Sequence, residues 1–369
     1  MIRIPAINIL GFISTAVFIT YLIASHIGLY GNVWAFMFIA GLIGSATSCF
    51  GLLSYFFKNR IPARSVPVLV FFALGITGML FNSFYLSRFE MGSFTMAFAN
   101  IGIAWLLISG NVVPAAIETL YYSVAAYFIL LILTGVDSNF ALAFSDSSRN
   151  GISVIMINLS AAIWISKAVR AEKMPLLPTV LTLLISLWSY SRSGIFSSFI
   201  LLFGAFFFQK YEFWRQKRSL VIGAASLICL LFLVETIDLD YVLTKLSNPS
   251  DPTRSNFIET YFKLMSFENS LYGIDLKDQI FHDPHNSYLN LHSKAGILGL
   301  AIIPLLLFAL CRMSFKRMAL GCLLFGILFR CATDTIYFFG AFDHIPAALV
   351  ALGLSWHSGT SRSETDCAH

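Results

Sequence analysis

Short polar runs interrupt an otherwise apolar chain, and their side chains have the chemistry to bind an anion and to move a proton. Asp283-Pro284-His285-Asn286 is followed, after nine residues, by Gly296-Ile297-Leu298-Gly299. An imidazole here can act as a base near neutral pH. Asp-Pro reads as the N-cap and first position of a helix. On that helix His285 and His292 share a face about two turns apart. The two glycines let a neighbouring helix come close and hold the histidine rigidly. A helix N-terminus also carries positive potential, which favours the neutral imidazole and attracts phosphate. The second run, Ser191-Arg192-Ser193-Gly194, lies between two apolar stretches, where Gly194 and its serines fit a tight turn. Arg192 has two readings. It is either an interfacial cation reaching lipid headgroups or an anion clamp, because a guanidinium stays charged and offers phosphate two parallel hydrogen bonds.

Other polar residues read more simply. Arg254 lies in an acidic stretch and fits a salt bridge with Asp251 or Glu259. Arg149 has the same relation to Asp146. Arg330 and Asp334 are four apart in an apolar run, which suggests an intrahelical pair. Glu235 is placed at an interface, and Glu118 calls for a partner that the sequence does not identify. The spacing His282-x2-His285-x6-His292 matches no metal-ligand pattern, and HExxH is absent, so no metal centre is expected. The six cysteines show no CxxC, and five lie in or beside apolar runs as small hydrophobes.

The elements that must position these residues follow from composition. Of 369 residues, 57% are hydrophobic and 12% charged, and mean hydropathy is +0.78. Soluble domains carry about 45–50% apolar and about 25% charged residues. An ordinary cytosolic enzyme, a disordered chain and a disulfide-built secreted scaffold are thereby excluded. The expected fold class is all-α, a polytopic integral membrane protein. Apolar windows at 6–26, 33–57, 65–86, 92–109, 112–134, 150–166, 175–190, 194–208, 219–235, 295–311, 318–338 and 343–357 predict about twelve transmembrane helices.

Loops 58–64, 167–173, 210–218 and 312–317 hold thirteen Lys or Arg against Glu172 and Glu212. With twelve spans they fall on one side, which the positive-inside rule makes cytoplasmic, with both termini. The net charge of +5 then reports topology rather than a nucleic-acid partner. The opposite side receives one long segment, 236–294, with eight acids and five bases. A loop of that length in a compact fold is usually functional or disordered. The helical spacing of apolar residues over 257–267 favours order. The chain thus divides into N-terminal spans (1–174), spans carrying the Ser191–Gly194 run (175–235), the large external loop (236–294), C-terminal spans (295–357) and a polar tail (358–369).

At these residues the chain resembles the O-antigen ligase and O-antigen polymerase superfamily of bacterial envelope glycan transferases. The resemblance rests on Ser191-Arg192-Ser193-Gly194, on Arg254 in the large loop, and on His285-Asn286, nine residues, then Gly296-x-x-Gly299. Leu271-Tyr272-Gly273 is similar to the family's approach to that last motif. The likeness covers roughly 175–300. It implies transfer of a glycan from undecaprenyl diphosphate to an acceptor hydroxyl at the periplasmic face of the bacterial inner membrane. Arg192 and Arg254 would bind the diphosphate, and His285 would activate the hydroxyl, with no metal and no cofactor. One-step displacement implies inversion. The acceptor would be lipid A–core for a ligase, or another lipid-linked repeat for a polymerase. A transporter or flippase, the alternative from another class, calls for charges near the bilayer midplane and two related halves, neither of which the sequence displays.

Overall fold

The computed structural model describes residues 9–30, 34–58, 61–87, 89–136, 150–208, 252–276 and 286–355, with side chains excepted at 30, 58, 207, 208, 252–256 and 316. All regular structure among the described residues is helical. In chain order the helices are α1 (Ile9–Tyr30), α2 (Trp34–Lys58), α3 (Val66–Tyr85), α4 (Met91–Ile108), α5 (Pro114–Leu133), α6 (Asn150–Val169), α7 (Leu177–Trp188) and α8 (Arg192–Phe208). Next come α9 (Pro252–Lys263), α10 (Phe267–Tyr272), α11 (Ser287–Leu300), α12 (Ile302–Lys316), α13 (Met318–Thr333) and α14 (His344–Leu354). Continuous apolar sequence makes helices in lipid because a helix satisfies its own backbone groups. Proline opens several of them: Pro67, Pro114 and Pro178 stand in the first turns of α3, α5 and α7, where a missing N–H costs no bond.

Six helices, α1 to α6, are long and apolar enough to cross a membrane, and a seventh crossing arises if the bent pair α11–α12 counts as one. Among the described residues that is six or seven crossings against the twelve apolar windows of the sequence. The window at 219–235 lies outside the described residues. Helices α7, α8, α13 and α14 coincide with apolar windows but are short. The 12 residues of α7 reach only about 18 Å at 1.5 Å per residue, against a hydrocarbon core of about 30 Å. The chain leaves the helix where polar groups take over its backbone. This happens after Trp188, and again after Thr333, where ten residues intervene before α14. Helices α11 and α12 meet at 77°.

Helix α6 is buried along nearly its whole length and forms the centre of the bundle. Contacts between helices rely on small residues, as expected where lipid supplies no hydrophobic drive for association. Ser48 of α2 donates to the Phe98 carbonyl at 2.6 Å and accepts the Gly102 N–H at 2.7 Å. Ser197 of α8 donates to the Gly326 carbonyl of α13 at 3.0 Å.

The two ends of the bundle differ. At one, Lys167 bridges Glu118 (2.8 Å) and Glu172 (3.4 Å), which supplies the partner Glu118 required. Arg317 lies near Arg64 there, and burial together with that like charge lowers its affinity for the proton. Arg312 donates to the Leu354 carbonyl at 3.3 Å. At the other end α9 and α10 pack over α3 and α11. Tyr85 stacks on Tyr272, Asn82 donates to the Tyr272 and Ser293 carbonyls (2.6 and 3.0 Å), and Lys294 lies 3.9 Å from Glu90.

Candidate functional site

The site is built where α7 turns into α8. Tyr190, with φ of +51°, is the left-handed residue of the turn, and Ser191 caps α8 by accepting the Gly194 N–H at 3.2 Å. Gly194 serves another purpose than the turn. A Cβ there would lie 2.4 Å from Ser153, so the glycine lets α6 come into contact. Ser191 donates to Asn150 Oδ1 (2.9 Å), and Ser153 Oγ lies 3.1 Å from Ser191 Oγ. Arg192 occupies the first position of α8, half-buried at the same end.

Behind this turn lies Arg330, near the end of α13 and wholly buried. Its Nη2 donates to Ser153 Oγ (2.9 Å) and to the Asn150 carbonyl (3.1 Å), and it lies 3.5 Å from Asp334 Oδ2. Its Nε and Nη1 meet no hydrogen-bond partner among the described residues. The intrahelical pair expected from the spacing is therefore modified. Asp334 is extended (φ −153°, ψ 154°) and terminates α13 rather than continuing it. Its Oδ1 accepts the Thr335 N–H.

The start of α11 is attached to the same place. Asn286 is its N-cap, accepting the Tyr288 and Leu289 N–H groups at 2.9 and 3.2 Å, while its Nδ2 donates to the Ala332 carbonyl at 3.0 Å. Ser287 donates to the Asp334 carbonyl at 2.5 Å, and Tyr288 to the Leu328 carbonyl at 2.8 Å. The expected cap at Asp283-Pro284 is thus replaced by Asn286. Of the two histidines expected on one face of that helix, α11 as described carries His292. Residues 277–285, with His282 and His285, lie outside the described residues, as do Arg149, Asp146, Glu235 and Asp251. Arg254 falls on α9, and its side chain is likewise outside them.

His292 is fully committed to structure. Nε2 faces the Ser270 carbonyl at 3.0 Å, which can only accept, and Nδ1 lies 2.7 Å from the Tyr261 hydroxyl. Burial raises the Tyr261 phenol above its ordinary pKa. The clasp ties α9, α10 and α11 together, with Phe257 and Ile274 completing a small apolar core. Gly296 sits at a kink in α11 with φ 57° and ψ −156°, a conformation that is essentially glycine-only. A Cβ there would lie 2.1 Å from the Leu271 carbonyl, so what this glycine admits is the end of α10, not another long helix.

The turn between α13 and α14 was not singled out in the sequence. Phe338 and Phe339 both take positive φ (66° and 69°), which bulky residues rarely adopt. The buried Asp343 carboxylate holds them, accepting the N–H groups of Phe338 (2.6 Å), Phe339 and Gly340 (3.1 Å). Beside it, Asn100 Nδ2 donates to the Met96 and Gly340 carbonyls, which fixes the amide and leaves Oδ1 to accept from His344 N and Nδ1, both at 3.0 Å. Tyr21 donates to the Ala341 carbonyl at 2.7 Å. An aspartate and a histidine inside the apolar window 343–357 were the available signal, since ionisable residues within spans are rare without a role.

The result is a polar seam at one end of the bundle. Ser191, Ser153, Arg330, Asp334 and Ser287 form a continuous chain of contacts between the two sequence motifs. It offers an anion a buried guanidinium with uncommitted donors. Among the described residues no three His, Cys, Asp or Glu side chains gather as a metal site. No family model, no curated protein and no solved structure matches the chain.

Proposed function

We propose that the chain is a membrane glycan transferase of the O-antigen ligase type. It moves a glycan from undecaprenyl diphosphate to a hydroxyl of lipid A–core at the periplasmic face of the bacterial inner membrane. One observation carries the reading. The Ser191–Gly194 turn, through Ser153 of α6, and the Asn286–Ser287 helix start, directly, are both tied to the end of α13 around Arg330, though remote in sequence. Two motifs that share no local reason to meet form one anion-suited place.

In this reading the basic loops are cytoplasmic, the twelve apolar windows cross or enter the membrane, and residues 236–294 are periplasmic. Arg192 and Arg254 grip the diphosphate, and His285 takes the proton of the acceptor hydroxyl. That oxygen attacks the anomeric carbon as the bond to the diphosphate oxygen breaks, with inversion. Fixed guanidinium groups meet the charge that grows on the leaving diphosphate. A positioned base contributes about 10²–10⁴-fold.

The test supplies detergent-purified protein with a lipid-linked glycan and, separately, lipid A–core or a second lipid-linked glycan. Capped lipid A–core is the expected product. A lengthening ladder assigns the polymerase reaction instead. Absence of product with either acceptor refutes the transferase reading and favours a transporter, which needs a sealed compartment.

A further inference from the structure

Arg330 has no part in the roles just assigned, yet its situation calls for a ligand. Among the described residues it is the one lysine or arginine wholly closed off from solvent. A buried guanidinium needs acceptors for most of its five donors, because uncompensated burial of charge is costly. Asp334 touches it at one nitrogen only, at 3.5 Å, and that same Nη2 is shared with Asn150 and Ser153. Nε and Nη1 have nothing to bond among the described residues. The position suits a headgroup rather than a lipid tail. Arg330 lies within one turn of the end of α13, about 4.5 Å from its last residue at 1.5 Å per residue.

We propose that Arg330 is a third phosphate-binding residue of this site, taking an oxygen of the donor lipid's diphosphate beside Arg192. Assignment of the ligand rests on the transferase reading. Ser153 links Arg330 directly to Ser191, the residue before Arg192, so the Arg330 guanidinium and the start of α8 belong to one hydrogen-bonded cluster. Since Arg330 is closed off, a ligand must displace something to reach it. The anion already at Arg330 is the Asp334 carboxylate, whose side chain is 13% exposed and which holds Arg330 by a single long contact, so it is the group a ligand would displace. Phosphate, carrying more charge and more acceptors, replaces it. Asp334 is then a competitor for the anion, not a ligand of it.

The experiment measures binding of inorganic pyrophosphate and of undecaprenyl diphosphate to the detergent-purified full chain, with thermal midpoints as the control for folding. Asp334→Asn removes the competitor, and both ligands are expected to bind about two- to fivefold tighter, the upper range of a partly exposed ion pair. Arg330→Gln combined with Asp334→Asn removes both charges together, a change that buried pairs often tolerate. Binding of both ligands is expected to weaken at least tenfold. Binding within twofold of wild type in the double variant, or weaker binding in Asp334→Asn, overturns the proposal. Should the double variant not fold, Asp334→Asn decides alone. A loss confined to inorganic pyrophosphate, with the lipid diphosphate held equally by both proteins, overturns the assignment to the donor. Arg330-dependent binding without any glycan transfer refutes the transferase reading and leaves the anion site standing. Transfer combined with Arg330-independent binding refutes the site alone.

Discussion

Asn286 joins the beginning of α11 to the end of α13, and its two functions can be separated by substitution. Its Oδ1 caps α11, and its Nδ2 reaches the Ala332 carbonyl. Asn286→Ser keeps a capping oxygen and loses the second bond. Asn286→Ala loses both. A cap is worth about 1 kcal/mol, and a neutral hydrogen bond also about 1 kcal/mol net. The residue is half-buried, so neither figure calls for a large correction. Ser is therefore expected to cost about 1 kcal/mol and Ala about 2 kcal/mol. The assay is thermal unfolding of the three purified proteins in one detergent, read as a graded fall in midpoint, wild type above Ser above Ala. Transfer activity should fall further than stability. The chain preceding Asn286 carries the proposed base, and a misplacement of about 1 Å costs on the order of 10²-fold. If Ser matches wild type, the bond to Ala332 does nothing and α11 is not fastened to α13. If both match wild type, the cap is absent as well.

Three further predictions concern the elements around the site. Gly296→Ala places a Cβ in a glycine-only conformation against the Leu271 carbonyl, and should cost about 3 kcal/mol or more in stability; a variant with an unchanged midpoint contradicts the kink. Tyr261 is a weaker acid folded than unfolded, so its contribution is complete below about pH 10 and is lost as pH rises beyond that value. Stability measured against pH should fall above about pH 10 in wild type and less steeply in Tyr261→Phe; parallel curves remove the argument. Asp343→Ala leaves three N–H groups and two left-handed phenylalanines without their acceptor, and should destabilise by about 3 kcal/mol or more; wild-type yield and midpoint would show that the turn holds itself.

How far the sequence discloses this arrangement depends on the residue. Long apolar runs such as Trp34–Lys58 give their helices away, because nothing in them competes for the backbone. The end of α13 is hidden, since Ile336-Tyr337-Phe338-Phe339 are as apolar as the helix before them. The helix ends where Asp334 turns extended, and the Asp343 carboxylate then holds the Phe338 and Phe339 N–H groups outside it, contacts with no periodic signature. Asp283 and Asn286 are equally good caps on paper, and only the tie from Asn286 to Ala332 distinguishes the one used. The Ser191–Gly194 run is legible as a turn, but which residue turns is not. Tyr190 takes the positive φ, and Gly194 is reserved for contact with Ser153. Arg330 at four residues from Asp334 reads as a local pair, because spacing reveals a neighbour and not burial. Its contacts with Asn150 and Ser153 come from the other half of the bundle.

In the proposed function these motifs assemble around the diphosphate of a lipid-linked glycan. The most direct measurement is an electron cryo-microscopy map of the full chain with undecaprenyl diphosphate-linked glycan bound. Both phosphates are expected within hydrogen-bonding reach of Arg192 and Arg330, at the end of the bundle where Ser191 and Asn286 lie. Phosphates held at the opposite end, beside Arg64 and Arg317, or a headgroup that leaves Arg192 and Arg330 untouched, would contradict it.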